Sequence, residues 1–185
     1  MKIFVVTADI KLTKKPAWLD DFRHRYDKAY EYHITLKQPG LAEDEQVLDI
    51  KNKLNTFFFN IQIPNHSIPL TFDTLKASKD DPNDICLMIN ASNNEAIRNL
   101  HNQVISTLAN YNNYYKPKYQ TYEKNFEPHI TIARNLNAQT FADASKVLEQ
   151  DYTCAGVVNK VILTVVNNFG PEEANNPANQ TVYSL

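Results

Sequence analysis

At 185 residues, with 43% hydrophobic and 22% charged residues, the chain has the composition of a globular protein and is long enough to bury one substantial core or two similar lobes. A formal charge of −2 and a pI near 6.2 give no global attraction for long nucleic acid, so an anionic substrate has to be held in a local pocket. Cys86 and Cys154 are too few for a disulfide framework, and the apolar run after Met1 ends at Thr7 and Asp9, too short for a signal peptide or a membrane span; a cytoplasmic, monomeric chain with no membrane partner is expected.

Along the chain, "KIFVVTAD" (2–9) reads as a β-branched strand, and "PAWLDDFRHRYDKAY" (16–30) reads as a helix entered through Pro16. "YHITLK" (32–37) is a strand. "EDEQVLDIKNKLNTFF" places Val47, Ile50, Leu54 and Phe57 at helical spacing, with acids in the first turn where the helix dipole favours them. "FNIQIP" and "IPLTFDTLKA" read as two further strands separated by "PNHS". "ICLMINA" (85–91) opens a second series. "SNNE" (92–95) has the form of a capping box, and the helix behind it aligns Ile97, Leu100, His101, Val104, Ile105 and Leu108. After the loop "YNNYYKPKYQTYEKNF" (111–126) come the strand "HITIAR", a helix over about 138–150, and the strands 160–166 and 181–185.

Both halves, about 1–78 and 84–185, are thus expected to run strand, helix, HIT-strand, helix, strand, strand. The expected fold is α+β: one bilobal domain over 1–185, two pseudo-symmetric lobes of antiparallel sheet with flanking helices around a central cleft, which is a favoured ligand site.

The doubled stretch carries the chemistry. Successive side chains of a strand alternate faces, so His33 and Thr35 point one way while Ile34 and Leu36 anchor the other face; His129 and Thr131 repeat this with Ile130 and Ile132. Two such strands around a cleft would assemble two imidazoles and two hydroxyls. One neutral imidazole can take a proton from an attacking water or hydroxyl, the other can give one to the leaving oxygen, and the threonines can donate to the non-bridging phosphate oxygens. No metal or cofactor is needed for this scheme, and the sequence has no zinc-like spacing, glycine-rich phosphate loop or nucleophile elbow. The competing account is that strands simply needed these residues. With five histidines, random placement gives about a third of one His-x-Thr pair, so one copy means little, whereas two in matching places are hard to obtain by accident.

"HITL" (33–36) and "HITI" (129–132) resemble the paired His-x-Thr/Ser-hydrophobic motifs of the two-histidine phosphoesterase superfamily. The "PHITIAR" context and the "KIFVV" opening look most like its branch of 2′-5′ RNA ligase-like proteins, or RNA 2′,3′-cyclic phosphodiesterases. The resemblance implies a bilobal α+β fold and metal-independent opening of 2′,3′-cyclic phosphates on RNA ends or small nucleotides, usually leaving a 2′-phosphate. It makes His33 and His129 the acid/base pair, with His129 taken as the base and His33 as the acid, and makes Thr35 and Thr131 phosphate binders. The chain departs from the pattern at "KQPG" (37–40), where many members have a hydrophobic pair before glycine, and this bears on substrate more than on chemistry.

Other residues have two readings each. Lys37 shares the face of His33 by alternation and could meet a phosphate, or could be a solvated strand end. Arg134 matches the family's arginine after the second motif, but alternation puts it opposite His129 unless the strand ends or twists. The 111–126 loop, with Tyr115 and Lys118 as its candidate contacts, could stack a base and hold a phosphate, or could pack on itself. His24, His66 and His101 read as structural. The alternatives to a cyclic phosphodiesterase are an enzyme for 2′-5′ linked or cyclic oligonucleotides, and a non-catalytic RNA-binding module.

Overall fold

The computed structural model describes residues 1–27, 31–78, 83–92, 94–148 and 151–185. Its seven strands are β1 (Lys2–Lys14), β2 (His33–Ala42), β3 (Ile68–Ser78), β4 (Ile85–Ala91), β5 (His129–Leu136), β6 (Cys154–Val166) and β7 (Gln180–Ser184). They form one antiparallel sheet in the order β2-β1-β6-β3-β4-β5, with β7 also on β6. The helices are α1 (Trp18–Tyr26), α2 (Asp44–Asn60), α3 (Glu95–Thr107), α4 (Lys118–Lys124), α5 (Ala138–Val147) and α6 (Pro171–Ala174). The α+β fold is as the motifs implied.

The thirteen-residue β6 holds the sheet together. One edge pairs with β1 along most of its length, while the other carries β3 over Cys154–Val158 and β7 over Lys160–Thr164. Gly156 makes the join possible, because a Cβ there would stand 3.0 Å from Ile10 Cγ2 and 3.1 Å from Leu12 Cδ2. From β6 the sheet therefore spreads as β1 and β2 in one direction and as β3, β4 and β5 in the other. The two motif strands lie at its ends.

Those ends nevertheless touch. β2 contacts β5 directly, α1 of the first half packs on β5, and α3 and α4 of the second half pack on β2. Each half thus braces the other half's motif strand. The core beneath is apolar and continuous: Phe4, Val6 and Ala8 alternate inward from β1, and Ile34, Leu36, Ile130 and Ile132 anchor the motif strands into it.

Three expectations change. Residues 59–64 form no strand, because "FFFN" prolongs α2: Ile61 N–H donates to the Phe57 carbonyl at 3.0 Å and Phe58 stacks on Tyr183 at 4.8 Å, leaving Phe59 89% exposed. The alternation of Phe59, Ile61 and Ile63 imitated a strand, and the first half accordingly has three strands against four in the second. Ser92 opens no capping box; α3 begins at Glu95 after Asn94, and the Ser92 hydroxyl donates to the Thr71 carbonyl at 3.4 Å. The 111–126 loop contains α4. The expected ends of two helices, 28–30 and 149–150, lie outside the described residues, as does Asn93 of the "SNNE" segment. Among the described residues no helix is long and apolar enough to cross a membrane.

Candidate active site

β2 and β5 begin alike. His33 and Thr35 are half-buried on one face while Ile34 is buried behind them, and His129, Ile130 and Thr131 repeat the arrangement. The alternation then breaks at the same place in both strands. On β2, Thr7 faces Thr35 and Val6 faces Lys37, so Leu36 is an extra residue; on β5, Met88 faces Thr131 and Leu87 faces Ala133, so Ile132 is extra. A β-bulge inserts one residue and so reverses which side chains face in. After each bulge the next residue, Lys37 or Ala133, is buried, and the one after it, Gln38 or Arg134, lies on the open side.

This reversal corrects the placement of Lys37. It is fully buried, its Nζ donates to Glu123 Oε1 at 2.8 Å and to Asn112 Oδ1 at 3.1 Å, and it lies 4.7 Å over the Tyr114 ring. It is absent from the walls of the cleft. The bulge has the opposite effect on Arg134, which lines the cleft together with His129 and Thr131. Gln38, the counterpart of Arg134, lines it from β2 beside Thr35. Matching the two motifs five positions beyond each histidine would have pointed to Gln38.

The cleft is a cavity of about 820 Å³. Its lining includes Lys118, Tyr119 and Tyr122 of α4, and Phe169. Lys118 is there as expected, its Nζ 3.6 Å from Asp84. Tyr115 is not in the lining; it is 40% exposed and stacks on Phe169 at 5.9 Å, so it backs a wall residue instead of facing the cavity. His33 lies just outside the lining, next to Ile34 and Thr35, which belong to it.

Each imidazole is oriented in the same way. His33 Nδ1 donates to the Glu31 carbonyl at 2.8 Å and His129 Nδ1 donates to the Glu127 carbonyl at 2.7 Å. Since a carbonyl only accepts, Nδ1 carries the hydrogen, and Nε2 of the neutral ring has the free lone pair. His33 is held down at about 4, first by burial, with the Glu31 bond opposing, the charge of Arg134 reinforcing, Asp27 opposing and His129 reinforcing. His129 is also held below the ordinary imidazole value, first by burial, with the Glu127 carbonyl bond and carboxylate opposing and Arg134 and Lys76 reinforcing. The shared influence of Arg134, and of His129 on His33, brings the two histidines into one electrostatic site.

Around them, Arg134 Nε donates to Asp27 Oδ1 at 2.5 Å, and the buried Asp27 carboxylate also accepts from Arg23 Nη2 at 3.1 Å. Asp27 was not among the candidates from the sequence, where it lies within the segment 16–30. Beneath the β2 bulge, the Leu36 carbonyl accepts from His101 Nδ1 at 2.7 Å, and the His101 ring stacks on Phe126 at 3.8 Å. His66 Nδ1 donates to the Leu185 carbonyl at 3.0 Å and His24 is exposed, so none of these three enters the cleft. Among the described residues no group of three or more His, Cys, Asp or Glu side chains is arranged to hold a metal ion.

The sequence model of the 2′-5′ RNA ligase superfamily matches residues 13–168, a span that includes both motifs. The chain belongs to the 2′-5′ RNA ligase superfamily. Curated relatives within reach of this superfamily member include a protein named "Putative phosphoesterase" from Geobacillus kaustophilus, 29% identical over 70% of this chain and 68% of its own. Others with the same name come from Bacillus cereus strain B4264, 30% identical over 77% of this chain and 75% of its own, and from Staphylococcus epidermidis, 30% identical over 66% and 65%. Among solved structures, Usb1 of Kluyveromyces marxianus has the same fold, with a TM-score of 0.58 over 99% of this chain and 98% of its own at 9% identity. That protein has also been solved with uridine monophosphate, with a TM-score of 0.56 to this chain. Together the family and its relatives make this a chain of the phosphoesterase type.

Proposed function

We propose that the cleft opens 2′,3′-cyclic phosphates of RNA ends or small nucleotides by acid/base catalysis between His33 and His129, without a metal cofactor. The observation that carries this reading is the doubled strand: the same His-x-Thr unit, followed by the same bulge and oriented by the same Nδ1-to-carbonyl bond, occurs on two strands that touch, with Thr35, His129 and Thr131 lining one cavity and His33 beside that lining. The uridine monophosphate solved with the Kluyveromyces marxianus protein of like fold supports a nucleotide as occupant.

In this mechanism one Nε2 takes a proton from water as its oxygen bonds to phosphorus. The other imidazole gives a proton to the departing ribose oxygen as the cyclic P–O bond breaks, leaving a phosphomonoester. Thr35, Thr131 and Arg134 donate to the non-bridging oxygens, where charge gathers in the transition state. Without substrate both rings are neutral at pH 7, since both are held below their ordinary value. The proton required by the acid therefore enters with the substrate, whose negative charge offsets the desolvation that kept the rings neutral.

The test is turnover of 2′,3′-cyclic nucleotides in a chelator. His33→Ala and His129→Ala should each lose roughly 10²- to 10⁴-fold in kcat. Full activity in either variant would eliminate the mechanism. A parallel panel of 2′-5′ oligonucleotides and cyclic oligonucleotides identifies the bond the site prefers, and nucleotide binding without turnover of any substrate would leave only a binding module.

A further inference from the structure

Asp27 occupies a position that the proposed chemistry leaves unused. It ends α1, in the first half of the chain, yet α1 packs on β5 of the second half, so its carboxylate reaches Arg134 on the opposite motif strand. The side chain is completely shielded from solvent, lines the cavity, and is shared by Arg23 from one side and Arg134 from the other. A buried carboxylate between two guanidinium groups is well compensated, and each bond restricts where a guanidinium can go.

We propose that Asp27 is the positioning residue of the cleft: it fixes Arg134 at the Nε edge and moderates the field that Arg134 exerts on His33. The inference rests on the phosphodiesterase reading of the same site. Its first part is geometric. The bulge at Ile132 brings Arg134 to the open face but does not choose its rotamer, whereas a bond from Nε to Asp27 Oδ1 orients the guanidinium plane. Its second part is electrostatic. His33 is faced by Arg134 and His129 from β5 and by Asp27 from α1, while Asp9, its cross-strand neighbour on β1, is paired with Lys160 at 3.3 Å. Asp27 influences His33, whereas the groups that act on His129 are Glu127, Arg134 and Lys76. Removing the Asp27 charge should therefore disturb His33 directly and reach His129 only through Arg134, a graded difference that a general loss of structure would not produce.

The experiment is Asp27→Asn, read by the NMR titration of both imidazoles without ligand and by turnover of a 2′,3′-cyclic nucleotide. The His33 midpoint should fall and should shift more than that of His129, and kcat should drop by up to about a hundredfold as Arg134 loses its orientation. An unchanged His33 midpoint together with parental kcat overturns the proposal. If Asp27→Asn does not fold, Asp27→Glu serves instead, since it keeps the charge but alters the reach: the His33 midpoint should stay while kcat falls, and parental kcat overturns the positioning role. The two readings fail separately. A parent protein that turns over no nucleotide refutes the phosphodiesterase, while the titration still reports what Asp27 does to His33.

Discussion

The strands β2 and β5 have the same burial pattern for six residues, half-buried, buried, half-buried, buried, buried, half-buried, and apart from the exchange of Leu36 for Ile132 they differ in what fills the last two places. At the buried place β5 has Ala133, and β2 has Lys37 with its own buried counter-ion. At the open place β5 has Arg134 and β2 has Gln38. The paired geometry is therefore general, while the charge is not: one strand brings a guanidinium to the cleft, and the other brings an amide and directs its cation away into the protein. A phosphate held between two like strands would thus meet its strongest charge from the β5 side, an asymmetry the motifs alone do not carry.

The comparison breaks most severely at the buried place. Glu123 Oε1 accepts from Lys37 Nζ and from the Tyr114 hydroxyl, and Oε2 accepts from the Gln38 N–H at 3.2 Å, so this one carboxylate joins α4 to the strand just past its bulge. Removing one partner of a buried pair leaves the other charge uncompensated. Lys37→Ala should cost about 3–5 kcal/mol in a denaturant titration. The double variant Lys37→Met/Glu123→Gln removes both charges and keeps an acceptor for Gln38 N–H, so it should recover most of that loss. A Lys37→Ala protein as stable as the parent would mean that the ion pair does not join wall to strand.

At the open place the effect is on rate. Arg134→Gln makes β5 resemble β2 and should lower kcat by roughly 10²- to 10³-fold, the scale of losing one preorganised donor to the transition state. Gln38→Ala should cost far less. Equal losses at the two positions would remove the asymmetry. The threonines, by contrast, should behave as equals. In Thr35→Val and Thr131→Val a hydrogen bond to a charged oxygen disappears at nearly constant volume, and each should raise the barrier by about 1.5–3 kcal/mol. A pronounced difference between them would place the phosphate closer to one strand.

How far the sequence carried this reading follows from the same strands. The His-x-Thr units were legible because alternation holds over three residues, and the apolar anchors Ile34 and Ile130 are where the period puts them. Strict alternation misplaced Lys37, while Arg134 reaches the cleft through the kind of strand irregularity its candidacy required; a bulge is set by the cross-strand partner and leaves no mark in a single strand's pattern. The false strand at 59–64 failed for a related reason: whether "FFFNI" continues a helix depended on Tyr183, more than a hundred residues away. Asp27 was invisible because its role arises where α1 of one half meets β5 of the other. Local chemistry was readable, and contacts between the halves were not.

The last expected effect concerns pH, and it tests whether the half-buried imidazole of β2 is as poorly solvated as its surroundings imply. His33 titrates near 4 in the folded chain and near 6.5 when unfolded, so between those values the unfolded state binds more protons. Stability should therefore decrease as pH falls from about 6.5 to about 4, with this contribution flat below that window and absent above it. Replacing His33 by Gln should flatten this part of the profile. A nucleotide monophosphate should flatten it too, because an anion beside the ring favours the imidazolium and raises the folded-state value back toward the unfolded one. If the profile of the parent is already flat between pH 6.5 and 4, the desolvation of His33 is weaker than its position suggests, and the imidazole could then carry its own proton into the reaction before the substrate arrives.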